Sequence, residues 1–156
     1  MIIIISGTPC TGKTFVAKKL AKALNHKYID VKRLITLNKL QESYDKKRKC
    51  YVIDTKKLNK ILIEKAKCNP NLIIDSHLSH YLPEKYVDLV IITKTNLKTL
   101  EKRLKSRGYN KEKIRENLDC EIFDICLNEA KEKKHKVLVV DTTKDIKIKE
   151  ILKKIK

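Results

Sequence analysis

The chain has 156 residues, of which 42% are hydrophobic and 36% charged, with no Trp and a formal net charge of +18. That length fits one domain able to bury a core without disulfides or a structural metal. The five cysteines (Cys10, Cys50, Cys68, Cys120 and Cys126) are odd in number and form no CxxC pair, so neither a disulfide framework nor a zinc site is expected. A reducing, intracellular setting is the expectation instead. The positive charge favours polyanions such as nucleic acid or nucleotide phosphates, although lysines spread over helix surfaces also serve simply to solvate a protein.

In chain order, Ile2 to Ile5 is a β-branched run without polar interruption, as expected of a central parallel strand covered on both faces and not of a signal sequence. A glycine-containing loop follows, and Val16, Leu20, Ala23 and Leu24 then share one face of a helix. Tyr28-Ile29 reads as a short strand. Residues 30–50 are polar and basic without a period, and are expected to form a mobile, partly helical insert. Thr55 to Cys68 has helical spacing and is stopped by Asn69-Pro70-Asn71. Leu72 to Asp75 and Val87 to Thr93 read as strands, and Leu97 to Ser106 as a helix that Gly108 interrupts. Lys111 to Lys134 reads as one long helix, Val137 to Asp141 as a last strand, and Lys144 to Lys156 as a last helix. Alternating strands and helices predict a parallel α/β sheet with right-handed crossovers. No apolar run reaches membrane-spanning length.

The segment Gly7-Thr8-Pro9-Cys10-Thr11-Gly12-Lys13-Thr14 fits the phosphate-loop pattern GxxxxGK[ST], between a predicted buried strand and an amphipathic helix. Its glycines let successive N–H groups curl inward around a phosphate chain, and the helix N-terminus adds partial positive charge. Lys13 is expected at the β- and γ-phosphates and the Thr14 hydroxyl at Mg²⁺. Two of the three glycines in the chain occupy this loop, where the backbone has no substitute. A Mg²⁺ site also needs a carboxylate at a neighbouring strand end, and Asp75 supplies one. Asp141 stands at a similar point and is expected to close a turn or lie near the nucleobase. His77, two residues beyond Asp75, is a candidate for orienting a water or an acceptor hydroxyl; a structural role is its alternative, and His26, His80 and His135 are weaker candidates. Arg107, beside Gly108, suits a mobile guanidinium closing on a phosphate, or equally an arginine favoured by the helix C-terminus.

Further pieces carry a more specific signal: Ile74-Asp75-Ser76-His77, Leu82-Pro83-Glu84-Lys85-Tyr86, Asp88-Leu89-Val90, Arg107-Gly108-Tyr109-Asn110, and Glu116-Asn117-Leu118-Asp119-Cys120-Glu121-Ile122. Together with the loop they resemble the adenylate kinase isoenzyme 6 family, which includes the coilin-interacting nuclear ATPases, in order and spacing from residue 1 to about residue 130. The resemblance implies a nucleoside-monophosphate-kinase fold of the P-loop class across residues 1–156, with a five-stranded parallel sheet flanked by helices. It implies an NMP-binding segment at about 30–53 and a short lid at about 106–116. The implied activity is transfer of the ATP γ-phosphoryl group to AMP with Mg²⁺, with accompanying ATPase activity. Implied ATP contacts are Pro9, Cys10, Thr11, Gly12, Lys13, Thr14, Phe15 and Arg107; Thr14 and Asp75 would serve the metal, and Lys13, Asp75, His77 and Arg107 catalysis. The family also implies a role in small-ribosomal-subunit maturation, with a small-subunit ribosomal protein, pre-rRNA or a 30S/40S precursor as partner, and a cytoplasmic or, in a eukaryote, nuclear location. An assembly ATPase in which kinase activity is incidental is the alternative, and a P-loop kinase for another small molecule a third reading.

Three departures from the family pattern stand out. Cys10 replaces a glycine and Phe15 a threonine; the Cys10 N–H would keep its place if the local φ were negative. Thr36 stands where an NMP-segment arginine is expected, with Arg33 one turn away. A charge of +18 is poorly matched to a basic ribosomal protein, so contact with rRNA or a local acidic patch would be needed.

Overall fold

The computed structural model describes residues 1–47 and 50–155. The opening β-branched run forms β1 (Ile2–Ser6), buried along its whole length. In the chain it is followed by α1 (Lys13–Leu24), β2 (Lys27–Asp30), α2 (Val31–Leu37), an antiparallel hairpin of β3 (Gln41–Asp45) and β4 (Cys50–Ile53), and α3 (Thr55–Cys68). Then come β5 (Leu72–Asp75), β6 (Leu89–Lys94), α4 (Leu97–Ser106), α5 (Lys111–Ile122), α6 (Ile125–Glu132), β7 (Val137–Asp141) and α7 (Ile148–Ile155). Five of the strands form one parallel sheet in the order β2-β5-β1-β6-β7.

Side chains of a strand alternate between the two faces of its sheet, and here both faces are covered. Ile2 and Ile4 pack with Ile74, Val90 and Ile92 beneath α2, α3 and α6, through Ile35, Leu58, Leu62 and Ala130. Ile3 and Ile5 pack with Ile73, Ile91 and Val140 against α1 and α7, through Val16, Leu20 and Ile151. An uninterrupted apolar β1 is the sequence such a two-sided burial requires. Helix starts are fixed locally: Asp30, Asp54, Asn96 and Asn110 accept a hydrogen bond from the backbone N–H three residues on, at 3.2, 2.9, 2.8 and 2.8 Å.

Four segments depart from expectation. The segment expected at 30–50 to be partly helical does hold one short helix, α2, but it is followed by a β-hairpin that was not expected; residues 48 and 49, in the same segment, lie outside the described residues. The hairpin is exposed on both sides, so no alternation marks it, and its edge-to-face pair Tyr44–Tyr51, 5.1 Å between centroids, holds it across the strands. The expected helix over 111–134 is two helices. Asp124 takes the left-handed conformation at φ 53° and pairs with Lys94, turning the chain although the apolar spacing runs on. β6 begins at Leu89, because Val87 N–H is engaged by Glu84 O in a 3-10 turn. The last helix begins at Ile148, because Thr142 N–H is bound by Lys94 O and Thr143 N–H by the Asp141 side chain; Lys156 lies outside the described residues. Among the described residues no helix is long and apolar enough to cross a membrane.

Leu62 is fully buried between α3 and the sheet. Leu62→Ala should cost about 2–5 kcal/mol, read as a lower urea midpoint at unchanged slope.

Candidate active site

The loop between β1 and α1 turns through three residues with positive φ: Gly7 at 140°, Cys10 at 68° and Gly12 at 83°. At Gly7 a Cβ would lie 2.5 Å from the Thr93 carbonyl oxygen, so only glycine fits. The negative φ anticipated for Cys10 is not found. The curl of the loop demands the left-handed region at this point whatever residue stands there, and cysteine carries a Cβ into it at a cost of about 1–2 kcal/mol.

A loop that turns its N–H groups inward leaves carbonyls facing the protein, and these have donors. Lys13 Nζ donates to Gly7 O (2.9 Å) and Thr8 O (2.8 Å). Thr11 Oγ1 donates to Thr8 O at 2.7 Å, and Thr142 Oγ1 to Thr11 O at 2.7 Å. The Arg103 guanidinium spans Cys10 O (3.4 Å) and Thr142 O (2.9 Å). Enclosure pulls the Lys13 pKa below the ordinary lysine value, partly opposed by nearby groups that include Asp75. Phosphate oxygens arriving in the loop would counter that desolvation.

Parallel pairing of β1 with β5 sets Asp75 beside Ile5, at the strand ends from which the loop departs. Its Oδ2 accepts from the Thr14 hydroxyl at 2.6 Å and from the Tyr28 hydroxyl at 2.9 Å. Tyr28, on β2, fixes the carboxylate from the other side. Burial, and then the bond to Asp75, raise the Tyr28 pKa, so it stays a donor. The oxygens of Thr14 and Asp75 suit Mg²⁺, which keeps several waters and combines one or two protein oxygens with substrate phosphates. Among the described residues no group of three or more His, Cys, Asp and Glu side chains is placed to hold a metal ion.

A cavity of about 1320 Å³ gathers the expected site residues: Pro9, Cys10, Gly12, Lys13, Thr14, Phe15, Asp75, His77 and Arg107 all line it. Thr11 does not; its hydroxyl is spent on Thr8 O and Thr93 Oγ1 (2.7 Å) inside the loop. Residues of α2 and the hairpin, Lys32, Ile35, Thr36, Gln41 and Tyr51, line it as well. Lys32 and Thr36 line the cavity, whereas Arg33, expected to stand in for the missing arginine, does not. Arg107 is the C-terminal cap of α4, and Gly108, at φ 74°, turns the chain into α5. His77 opens onto the cavity, yet the desolvating walls, followed by the charges of Lys13, His80 and Lys113, lower its pKa to about 4. It is therefore neutral near pH 7.

Asp141 lines no part of this space; its carboxylate closes the turn onto Thr143 N–H at 2.8 Å. Ser6 Oγ, His80 Nδ1, and His80 Nε2 with Glu129 Oε2 stand at 3.1 and 2.8 Å, a Ser–His–carboxylate order met in nucleophilic catalysis. Ser6 is fully buried, so the array braces the end of β1 against α6, and His135 Nε2, at 2.9 Å from His80 O, extends it. Two contributors were missed from sequence. Tyr28 carries no local signal, since only the pairing of β2 with β5 brings it to Asp75. Glu121 accepts from Thr8 Oγ1 (2.6 Å) and Thr95 N–H (2.9 Å), tying α5 to the loop; its one trace was the Cys-Glu-Ile motif.

Two measurements test this geometry. Histidine NMR should place the His77 titration near pH 4, below the free value of 6.5. Folding then favours the neutral ring, so its stabilisation is complete above about pH 6.5 and lost as pH falls towards 4. A His77 midpoint between pH 6 and 7 would contradict that environment. At Cys10, Cys10→Gly should keep nucleotide affinity, whereas Cys10→Val, β-branched at positive φ, should weaken it by roughly tenfold.

The chain matches a family model described as an AAA domain over residues 3–124. It is 35% identical over 139 residues to the adenylate kinase isoenzyme 6 homolog of Dictyostelium discoideum, covering 89% of this chain and 79% of that one. It is 39% identical over 143 residues to a Thermococcus onnurineus protein provisionally named an adenylate kinase, covering 92% and 76%. Among solved structures, it superposes on deoxyadenosine kinase of M. mycoides with bound dATP (TM-score 0.63, 18% identity, 99% and 98% covered). It also superposes on shikimate kinase of Aquifex aeolicus (TM-score 0.62, 16% identity, 99% and 96% covered). These two likenesses show the fold, a P-loop kinase sheet flanked by helices. With the phosphate loop, the Asp75–His77 element and the Arg107 corner in place, the chain belongs to the adenylate kinase isoenzyme 6 family of P-loop proteins.

Proposed function

We propose that the protein is a Mg²⁺-dependent ATP:AMP phosphotransferase with an accompanying ATPase activity. The observation that carries this reading is a cavity lined both by the phosphate loop with Lys13, Asp75, His77 and Arg107 and by residues of α2 and the hairpin. Such a space accommodates a donor triphosphate facing an acceptor monophosphate. The NMP-binding segment is then 30–53 and the lid the corner around Arg107, within 106–116.

In this reaction an acceptor phosphate oxygen bonds to the γ-phosphorus of ATP as the β,γ-bridging bond breaks, giving two ADP. The chain supplies positioning and charge rather than a strong base. Loop N–H groups hold the donor phosphates, and Lys13 exchanges its carbonyl partners for phosphate oxygens. Thr14 directly, and Asp75 through water, would hold Mg²⁺, which neutralises charge on the β- and γ-oxygens. Arg107, at the mouth, closes on the transferring group. Neutral His77 can orient a water or acceptor oxygen without adding charge. Purified protein with MgATP and AMP should form ADP, and a screen of all nucleoside monophosphates that gave no turnover would refute the kinase reading. Lys13→Ala should lower kcat/KM by roughly 10²–10³-fold; a loss below tenfold would remove Lys13 from this role.

A second reading, an ATP-switched factor in small-subunit maturation, is favoured by the charge of +18 as far as it contacts rRNA; a basic ribosomal protein would need a local acidic patch. It expects capture of a small-subunit rRNA fragment that weakens with salt and changes with ATP. Capture indifferent to nucleotide would count against it.

A further inference from the structure

Phe15 directly follows the phosphate loop in α1, and although it is an implied ATP contact, the kinase reading gives its ring no stated partner. It stands one position after Thr14, where the family pattern has a threonine and this chain a phenyl ring. The buried face of α1 is Val16, Ala17, Leu20 and Ala21, so Phe15 does not serve the core; it is 51% exposed. The chain has only two phenylalanines and no tryptophan, and one of its few large aromatic rings is held open beside the loop.

Its position gives that exposure a use. Phe15 lines the main cavity and also an adjoining groove of about 730 Å³. Cys10, Gly12, Phe15 and Arg107 are common to both spaces and form the rim between them. Lys13, Thr14 and Asp75 belong to the cavity alone, so the β- and γ-phosphates and metal of a donor lie on that side. The nucleoside end must then leave over the rim into the groove, whose far wall includes Thr99, Thr142, Asp145 and Ile146. Arg103 also lines the groove, but its guanidinium is engaged with Cys10 O and Thr142 O. The Lys19 ammonium, one turn along α1, lies 5.6 Å from the Phe15 ring centroid and favours a fixed ring position.

We infer that Phe15 packs against the donor's nucleoside, offering an aromatic face to the sugar and base. The inference rests on the donor lying in the phosphate loop, as proposed above. Every base has a π-face, so such a contact is tolerant of base identity. It adds affinity for purine donors in general and none for the phosphate chain itself.

Equilibrium binding of three probes, Mg-ADP, Mg-GDP and Mg-tripolyphosphate, separates the parts. Phe15→Ala should weaken both nucleotides by roughly 5- to 50-fold while leaving tripolyphosphate within twofold. Phe15→Tyr, which keeps the ring, should retain wild-type values. Equal losses for all three probes would mean that Phe15 only supports the start of α1 and would overturn the inference. So would unchanged nucleotide affinity in Phe15→Ala. Failure of the wild-type protein to bind any probe would instead refute the phosphate-loop reading, and the inference with it.

Discussion

The carbonyl groups of the phosphate loop set the terms for the rest of the structure. A backbone that turns its N–H groups toward a ligand turns its C=O groups toward the protein, and buried carbonyls without donors are costly. Here Lys13 and Thr11 serve the carbonyls at the start of the loop, Thr142 serves Thr11 and Arg103 serves Cys10. Those donors come from the loop itself, from α4 and from the turn after β7. The loop therefore keeps its shape only when α4 and the last strand are in place.

Glu121 extends the same constraint to α5. Its two oxygens take the Thr8 hydroxyl and the Thr95 N–H, so the helix that follows the Arg107–Gly108 corner is joined to the loop at its far end. A small apolar cluster of Leu100, Leu104 and Ile114, with Cys10 packed against it, fills the space between α4, α5 and the loop. Arg107 thus sits on a helix pair anchored at the loop, while its own corner is exposed and turns at a glycine. In the proposed reaction, that combination would let the guanidinium close on a bound phosphate while the helix pair stays anchored.

Much of this was legible because the signals are local. β1 announced two-sided burial through an unbroken β-branched run, the loop announced itself by glycines at fixed positions, and Asn69-Pro70-Asn71 announced the end of α3. The β3–β4 hairpin was not legible: exposed on both faces, it has no alternation for a reader to find. The break between α5 and α6 was hidden because Ile114, Leu118, Ile122 and Ile125 keep helical spacing across a turn that Asp124 makes without a glycine. Tyr28 was invisible as a site residue because its contact with Asp75 spans 47 positions and two strands.

The sequence by itself determined the phosphate loop, the alternating order of strands and helices and the family, since each depends on residue types at short, fixed separations. Tertiary structure alone decided what those residues meet. Strand register placed Asp75 beside Thr14 and Tyr28, the cavity's walls and the nearby Lys13 favoured the neutral form of His77, and the curl of the loop put Cys10 at a positive φ. The folded rim put Phe15 between two spaces. Spacing along a chain fixes local conformation, but a charge state or a ligand contact depends on groups that only folding brings within a few ångströms.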